Sequence, residues 1–383
     1  MQTRKLYYED CHLSRFTGRV TGCEKKEKGY EITLDATAFY PEGGGQACDL
    51  GTLGNVRVLD TRERGDEILH LCDGPLTVGE TVEGVIDYER RFSLMQQHTG
   101  EHIVSGIVHR HFGWHNVGFH MGSELVTIDF DGPIPAEALV EIEQEANRAV
   151  WQNLAVKCWY PSPEELPDVG YRSKKALPWP VRVVEVPGFD KCACCGVHVA
   201  ATGEIGLIKL FSCVKFHQGV RVEMACGSRA LDILTRVYEQ NRQVSQAFSA
   251  RLLETGEAAR RMNEALAAEK YHSAQLQRRI SRGIAESYVN CKNAVRFEPG
   301  LASGELRELA DAIAGKVSGW AAVFSGSDGA GYGVCVISRS GDVKALGTAM
   351  NRTLNGRGGG KPGSFQGTVR ATEAEIRAFF EEI

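Results

Sequence analysis

The sequence predicts an α+β protein, and three observations carry that prediction. Residues 1–89 alternate short apolar and polar runs broken by glycine, as in "GYEITLDATAFY", "VRVLDTRE" and "TVEGVIDY", the pattern of short antiparallel strands. From Arg90 the period becomes helical, with apolar residues at Phe92, Met95, Ile103, Ile107 and Phe112. Residues 228–290 contain no proline and two glycines, and their apolar residues, from Leu231, Leu234 and Val237 to Leu276 and Ile280, again fall at helical intervals.

Taken in order, residues 1–89 are expected to form a small β-barrel or sheet. In residues 90–227 an amphipathic helix stops at Gly113, "ELVTIDFDG" reads as a strand, and "PAEALVEIEQEANRAVWQN" reads as a helix capped near Pro135. "EIGLIKLFSCVKFHQGVRVEMACG" completes this mixed α+β domain as a pair of strands. Residues 228–290 are expected as a helical linker, a hairpin if it breaks near Gly256. Residues 291–383 read as helix, strand, strand and helix, a small α/β domain enclosing the loop "LNGRGGGKPGSFQG".

With 383 residues, 43% hydrophobic and 24% charged, the chain is long enough for several cores and has the composition of a soluble globular protein. It contains no apolar run of bilayer-spanning length and no leader-like N-terminus, so the expectation is a cytoplasmic protein with no membrane partner. A net charge of -5 argues against indiscriminate nucleic-acid binding, so any such partner must be held locally. The twelve cysteines are scattered except for "CACC" at Cys192–Cys195, and they read as reduced thiols.

Three constellations carry chemistry. In "QQHTGEH", His98 and His102 stand four apart, one above the other on a helix. In "CCGVH", Cys194 and His198 are also four apart. Either pair alone is an ordinary surface feature; together they supply the four sulfur and nitrogen donors of a tetrahedral zinc site. His109 lies about 10.5 Å further along the helix from His102, too far to share that ion. "HTGEH" also fits the H-x-x-E-H signature of zinc peptidases, with Glu101 as general base, but such a site would use a carboxylate as third ligand and leave a position to water. The third constellation is "LDATAFYPEGGGQACDLG". Its glycines suit a tight turn, and Thr37, Phe39, Tyr40 and Gln46 around them suit a small pocket lined by an aromatic pair and an amide.

"TAFYPEGGGQACDLG", "HTGEH" and "CCGVHVAATGEIG", in this order and at these distances, resemble the T-x-F-Y-x-E-x-G-G-Q, H-x-x-x-H and C-x-x-x-H motifs of the alanyl-tRNA synthetase editing domain and its free-standing AlaX relatives. The resemblance runs the whole length, with a barrel-like start, an editing core, a helical segment and the glycine-rich terminal domain shared with DHH-type phosphoesterases, and it includes no aminoacylation or anticodon region. It implies a long-form AlaX protein, a trans-editing deacylase that removes serine, and by extension glycine, from alanine tRNA. By position, His98, His102, Cys194 and His198 would be the zinc ligands, while Thr37 and Gln46 would face the aminoacyl group, Thr37 sensing the serine hydroxyl. Serine reaches the wrong tRNA because a pocket selecting alanine by shape rejects an added hydroxyl poorly.

The family often reads C-G-G-T-H where this chain has Cys195 and Val197, so Cys195 and Cys192 compete as sulfur ligands with Cys194, which the spacing favours. Glu101 is not part of the family pattern. The resemblance further implies tRNA binding by the last domain, with Arg357 and Lys361 of "NGRGGGKPG" as phosphate contacts, and homodimerisation through that domain. The segment is not a Walker loop, since Pro362 follows the lysine. A rival reading is a non-catalytic, zinc-containing tRNA-binding module, in which four protein ligands close the site.

Overall fold

The computed structural model describes residues 2–173, 177 and 179–383. These form two compact units, one ending at Arg242 and one running from Gln243 to Ile383. The architecture is mixed α+β.

Eight strands open the first unit: β1 (Arg4–Lys5), β2 (Arg15–Lys26), β3 (Gly29–Leu34), β4 (Ala36–Thr37), β5 (Gly51–Leu53), β6 (Val56–Arg64), β7 (Glu67–Cys72) and β8 (Thr81–Ile86). Six of them pair in the order β2-β3-β7-β6-β5-β8, and β8 also pairs with β2, which closes the ring. Alternation along each strand sends Phe16, Val20, Ile32, Leu34, Val58, Val82 and Ile86 to a common interior, where Phe39 joins them. β4 stands outside the ring and pairs in parallel with β1.

Helix α1 (Tyr88–Phe112) follows directly. The Asp87 side chain accepts the Arg90 amide at its start, and Gly113, at φ +74°, ends it with its amide on the His109 carbonyl. The sequence suggests an amphipathic helix, but every residue from Leu94 to Val108 is buried. Its polar side chains can be inside because each has a partner. Gln96 donates to the Glu204 carbonyl, and Gln97 both donates to the Cys226 carbonyl and accepts the Cys226 amide. Gly100 lets the strand that ends at Cys226 come close, since a Cβ there would sit 2.2 Å from the Cys226 sulfur.

The covering elements are β9 (Asn116–Met121), β10 (Val126–Phe130), α2 (Ala136–Gln152), β11 (Lys157–Trp159), β12 (Val183–Val186), β13 (Asp190–Ala193), β14 (Ile208–Phe216) and β15 (Gly219–Cys226). An antiparallel sheet in the order β14-β15-β10-β9 packs against α1 and α2 over Ile103, Ile107, Ile128, Ala146, Val222 and Met224. The small sheet β11-β12-β13 delivers the cysteine segment to the flank of α1.

Helix α3 (Gly227–Ala247) leaves the first unit. The second unit holds α4 (Thr255–Glu286), β16 (Ala294–Phe297), α5 (Ser303–Ala314), β17 (Trp320–Ser327), β18 (Gly331–Ser338), α6 (Lys344–Thr353), β19 (Arg357–Lys361), β20 (Ser364–Val369) and α7 (Glu373–Glu381). Its sheet runs β16-β17-β18-β20-β19. Alternate residues of β17 face opposite cores: Ala321 and Val323 pack with Leu309 and Ile313 of α5, and Ala322 and Phe324 with Met350, Ile376 and Phe379.

The helical stretch breaks between Ala247 and Thr255, close to Gly256, which lies in the first turn of α4 with open space around it. One local expectation changes here. "RGGGK", read as loop, is the edge strand β19, paired with β20 from Arg357↔Thr368 to Lys361↔Ser364. Glycine depresses strand propensity, and backbone pairing with a neighbour overrides it.

Candidate metal centre

Helix α1 carries His98 and His102 one turn apart on the face turned toward β13 and the loop after it, which bears Cys194 and His198. The four ligand atoms lie within 4.8 Å of one another, and all four residues except the half-buried Cys194 are buried. A tetrahedral zinc with about 2.0–2.3 Å bonds needs ligand atoms about 3.3–3.8 Å apart, so this set closes on an ion with a small inward movement.

The hydrogen bonds select one nitrogen on each ring. His98 Nδ1 is 2.8 Å from Gln46 Oε1, His102 Nδ1 is 3.0 Å from Asp190 Oδ2, and His198 Nδ1 is 3.2 Å from Thr99 Oγ1. With each Nδ1–H donating outward, three Nε2 lone pairs are left for a common point. The buried His198 Nε2 has no hydrogen-bond partner among the described residues, and His98 Nε2 lies 3.4 Å from Cys194 Sγ. A buried, orphaned acceptor beside a thiol is what a metal would satisfy.

Electrostatics agree with the choice of sulfur. Burial by itself would raise the Cys194 thiol, but the three imidazole rings gathered around it, His98 first, hold it well below its usual value. Burial and the neighbouring His98 push His198 down to about 3. His102, equally buried, goes the other way because the Asp190 carboxylate and Cys194 outweigh desolvation. The Asp190 carboxylate is itself fixed by Arg172, whose Nε is 2.7 Å from Oδ1.

Cys195 points elsewhere. It is exposed, and its sulfur lies 4.0 Å from the Tyr40 hydroxyl, over the glycine turn. Cys192 falls in a second group with His102 and Asp190, on the outer side of the His102 ring. The cysteine loop is shaped from behind by Arg182, whose Nη1 donates to the Cys194 and Gly196 carbonyls at 2.9 and 2.8 Å and whose guanidinium lies over the Tyr8 ring. Gly196 is required by close approach: a Cβ there would lie 2.1 Å from His98 Cε1. Gly196→Ala should therefore displace the His98 ring and lower metal affinity roughly 10–100-fold, read by competition with a chromogenic chelator, with little change in the far-ultraviolet circular dichroism.

Gln46 is brought into the centre. Gly44 and Gly45, at φ +59° and +82°, make a two-residue turn between the paired Gly43 and Gln46. The turn carries the fully buried Gln46 side chain to His98, where Oε1 accepts from both the His98 ring and the Val197 amide. Its Nε2 has no partner among the described residues. Phe119 stacks on His98 with centroids 5.4 Å apart and closes the same side.

The hydrogen bonds of Thr37 go to His70 and to the Phe39 amide, not to the four-residue cluster. Thr37 is fully buried at the barrel end of the same segment. Glu101 also lies away from the cluster: its Oε1 accepts from Ser105 Oγ and from Asn116 Nδ2, each at 2.5 Å, and it has no place in either metal-competent group among the described residues. Arg357 and Lys361 are exposed on the edge strand β19 of the second unit. Sequence reasoning did not single out Asp190, Thr99, Arg172, Arg182 or the buried Arg91–Asp49 pair, because each acts on a partner at least 12 positions away.

The comparisons with known proteins fit this geometry. Residues 3–90 match the model of class II (A) tRNA synthetases, residues 181–239 that of the threonyl and alanyl tRNA synthetase second additional domain, and residues 287–383 that of the DHHA1 domain. The chain is 27% identical to the mouse (Mus musculus) alanyl-tRNA editing protein Aarsd1 over 98% of its own length and 97% of that protein. It is 31% identical to the alanine–tRNA ligase of Thermofilum pendens over 100% of its length and 33% identical to that of Ignicoccus hospitalis over 64%. It spans only 44% and 28% of those two ligases. Three synthetase-derived domain models in this order on one chain, together with an end-to-end alignment to an editing protein, make the chain similar to AlaX-like editing proteins of the long form.

Proposed function

We propose that the protein is a trans-editing deacylase, which hydrolyses the ester joining serine, and by extension glycine, to the terminal ribose of alanine tRNA. The observation that carries this reading is the convergence of Gln46, from the glycine turn, on His98 of the buried three-histidine, one-cysteine cluster, which places an unpaired amide donor beside a metal-competent centre. The donor set, with one thiolate and three imidazoles, fits zinc, which when bound supplies Lewis-acid stabilisation or an anchor for the amino acid.

The chain's own residues do the rest. Asp190, Thr99 and Gln46 Oε1 fix the three rings, and Gln46 Nε2 is a preorganised donor for the ester carbonyl oxygen. Attack of water on that carbonyl breaks its bond to the ribose oxygen and releases free serine and uncharged tRNA. Thr37 is assigned to recognition of the serine hydroxyl, and Arg357 and Lys361 to phosphate contacts. Homodimerisation through the last domain and a cytoplasmic location belong to the same reading. The membrane plays no part in it; among the described residues no helix is long and apolar enough to cross a bilayer.

Four protein donors also suit a closed structural site, and that observation favours a second reading, a tRNA-binding module without activity. Release of labelled serine and labelled alanine from alanine tRNA decides between them. Serine should leave the wild type much faster than alanine, and Thr37→Val should erase most of that preference, since a site that bonds a hydroxyl discriminates by the group left unpaired. A protein that binds the tRNA and releases neither amino acid is the module. Glu101→Gln should keep serine release within about threefold of wild type, as expected where the Glu101 carboxylate is tied to Ser105 and Asn116, and a dead variant would instead revive the peptidase reading.

A further inference from the structure

The barrel contains one buried histidine that the proposed chemistry does not use. His70, on β7, is fully buried, with Nδ1 3.0 Å from the Ile32 carbonyl of β3 and Nε2 2.9 Å from Thr37 Oγ1, and the Phe39 ring meets it edge to face. A carbonyl oxygen only accepts, so Nδ1 carries the proton and Nε2 is a bare lone pair. The ring stays neutral across the working range, because burial holds its pKa down at about 4, against the small upward pull of the Ile32 carbonyl.

The consequence falls on Thr37. Its single hydroxyl proton is committed to His70 Nε2, and one of its two lone pairs is taken by the Phe39 amide, whose nitrogen is 3.1 Å away. One lone pair remains, and it can only accept. We propose that His70 is a positioning residue for specificity: it fixes the Thr37 hydroxyl as an acceptor, so the site takes an amino acid whose side chain donates a hydrogen bond and turns away one that cannot. This rests on the assignment of Thr37 to the aminoacyl group. Serine is read as a donor, and alanine offers nothing to bond. A threonine without His70 would rotate its hydroxyl to suit either kind of partner, and the discrimination would weaken.

The test is single-turnover release from alanine tRNA charged with serine, alanine or 3-fluoroalanine, the last replacing the hydroxyl with a group of similar size that has no proton to donate. The proteins are the wild type, Thr37→Val, His70→Asn and His70→Gln. Asparagine keeps a donor for the Ile32 carbonyl but offers Thr37 no acceptor, whereas glutamine can place an oxygen where Nε2 stood.

We expect wild-type protein to release 3-fluoroalanine at the alanine rate. His70→Asn should lower the serine-to-alanine ratio about tenfold, the value of one lost hydrogen bond, through serine kcat/KM with the alanine rate unchanged. His70→Gln should restore most of it, with metal content equal to wild type in both variants. Release of 3-fluoroalanine at the serine rate would overturn the inference, and so would an unchanged ratio in His70→Asn or an equal loss of serine and alanine release in both His70 variants. That last result would mean His70 only supports the fold. If Thr37→Val leaves wild-type preference intact, the inference fails while the deacylase reading stands; if the wild type releases nothing, the deacylase reading itself fails.

Discussion

The double variant Cys194→Ala, His198→Ala should lose bound metal and release serine from alanine tRNA at least about a thousandfold more slowly than wild type. That factor corresponds to roughly 4 kcal/mol of transition-state stabilisation, the order expected when a metal's charge and the site it organises are both removed. The expectation rests on how the cluster is built. Cys194 supplies the anion that three buried imidazoles surround, and His198 Nε2 has no other hydrogen-bond partner among the described residues. Deleting both removes half the donors and leaves His98 and His102 as an ordinary helical pair, too weak to keep the ion. Metal-ion content by mass spectrometry should fall together with activity, and tRNA binding by gel shift should hold. Wild-type rates from a metal-free double variant would dismiss the cluster as the seat of hydrolysis.

Arg91→Leu should be the most destabilising single substitution in the first unit, at about 3–5 kcal/mol, which for a unit of this size is a fall of roughly 6–20 °C in Tm. Arg91 is wholly buried. Its Nε and Nη2 hold the Asp49 carboxylate, Nη2 donates to the Ala38 carbonyl at 2.6 Å, and Nη1 reaches the Cys11 carbonyl. Asp49 also accepts the Tyr40 amide. Leucine would leave a buried carboxylate with one amide to face it. Because Ala38 and Tyr40 lie between Thr37 and Gln46, serine release should fall in the folded fraction as well. The pair Arg91→Met, Asp49→Leu should recover much of the stability, since it removes both charges, but not the activity. Thermal melts and release assays on the three proteins check both halves.

The ligand set could be read from spacing because an i, i+4 pair is a local property of a helix, and a C-x-x-x-H segment is local as well. Spacing favours Cys194 among three chemically alike thiols, and what it does not show is the bend of the loop after β13, held by Arg182 and Gly196, that turns this sulfur inward. The character of α1 was misread for a related reason. Gln96, Gln97, Thr99, Glu101 and Ser105 look like a solvated face, and their partners, including Glu204, Cys226, His198 and Asn116, lie elsewhere in sequence. A tautomer is still less visible. That His70 must accept from Thr37 follows from a carbonyl on another strand.

The spacing of the ligands along the chain also orders events in time. All six strands of the barrel lie within residues 15–86, so that ring can close as soon as they have been synthesised. His98 and His102 come next, but Cys194 and His198 follow only about ninety residues later, a delay of roughly 5–20 s at the usual pace of a ribosome. Through that interval the nascent helix bears His102, Gln96 and Gln97, whose partners Asp190, Glu204 and Cys226 do not yet exist. Completion of the four-donor cluster is thus a late step of biogenesis, and a chain stalled before Cys194 would hold a finished barrel beside a helix carrying only half of those donors.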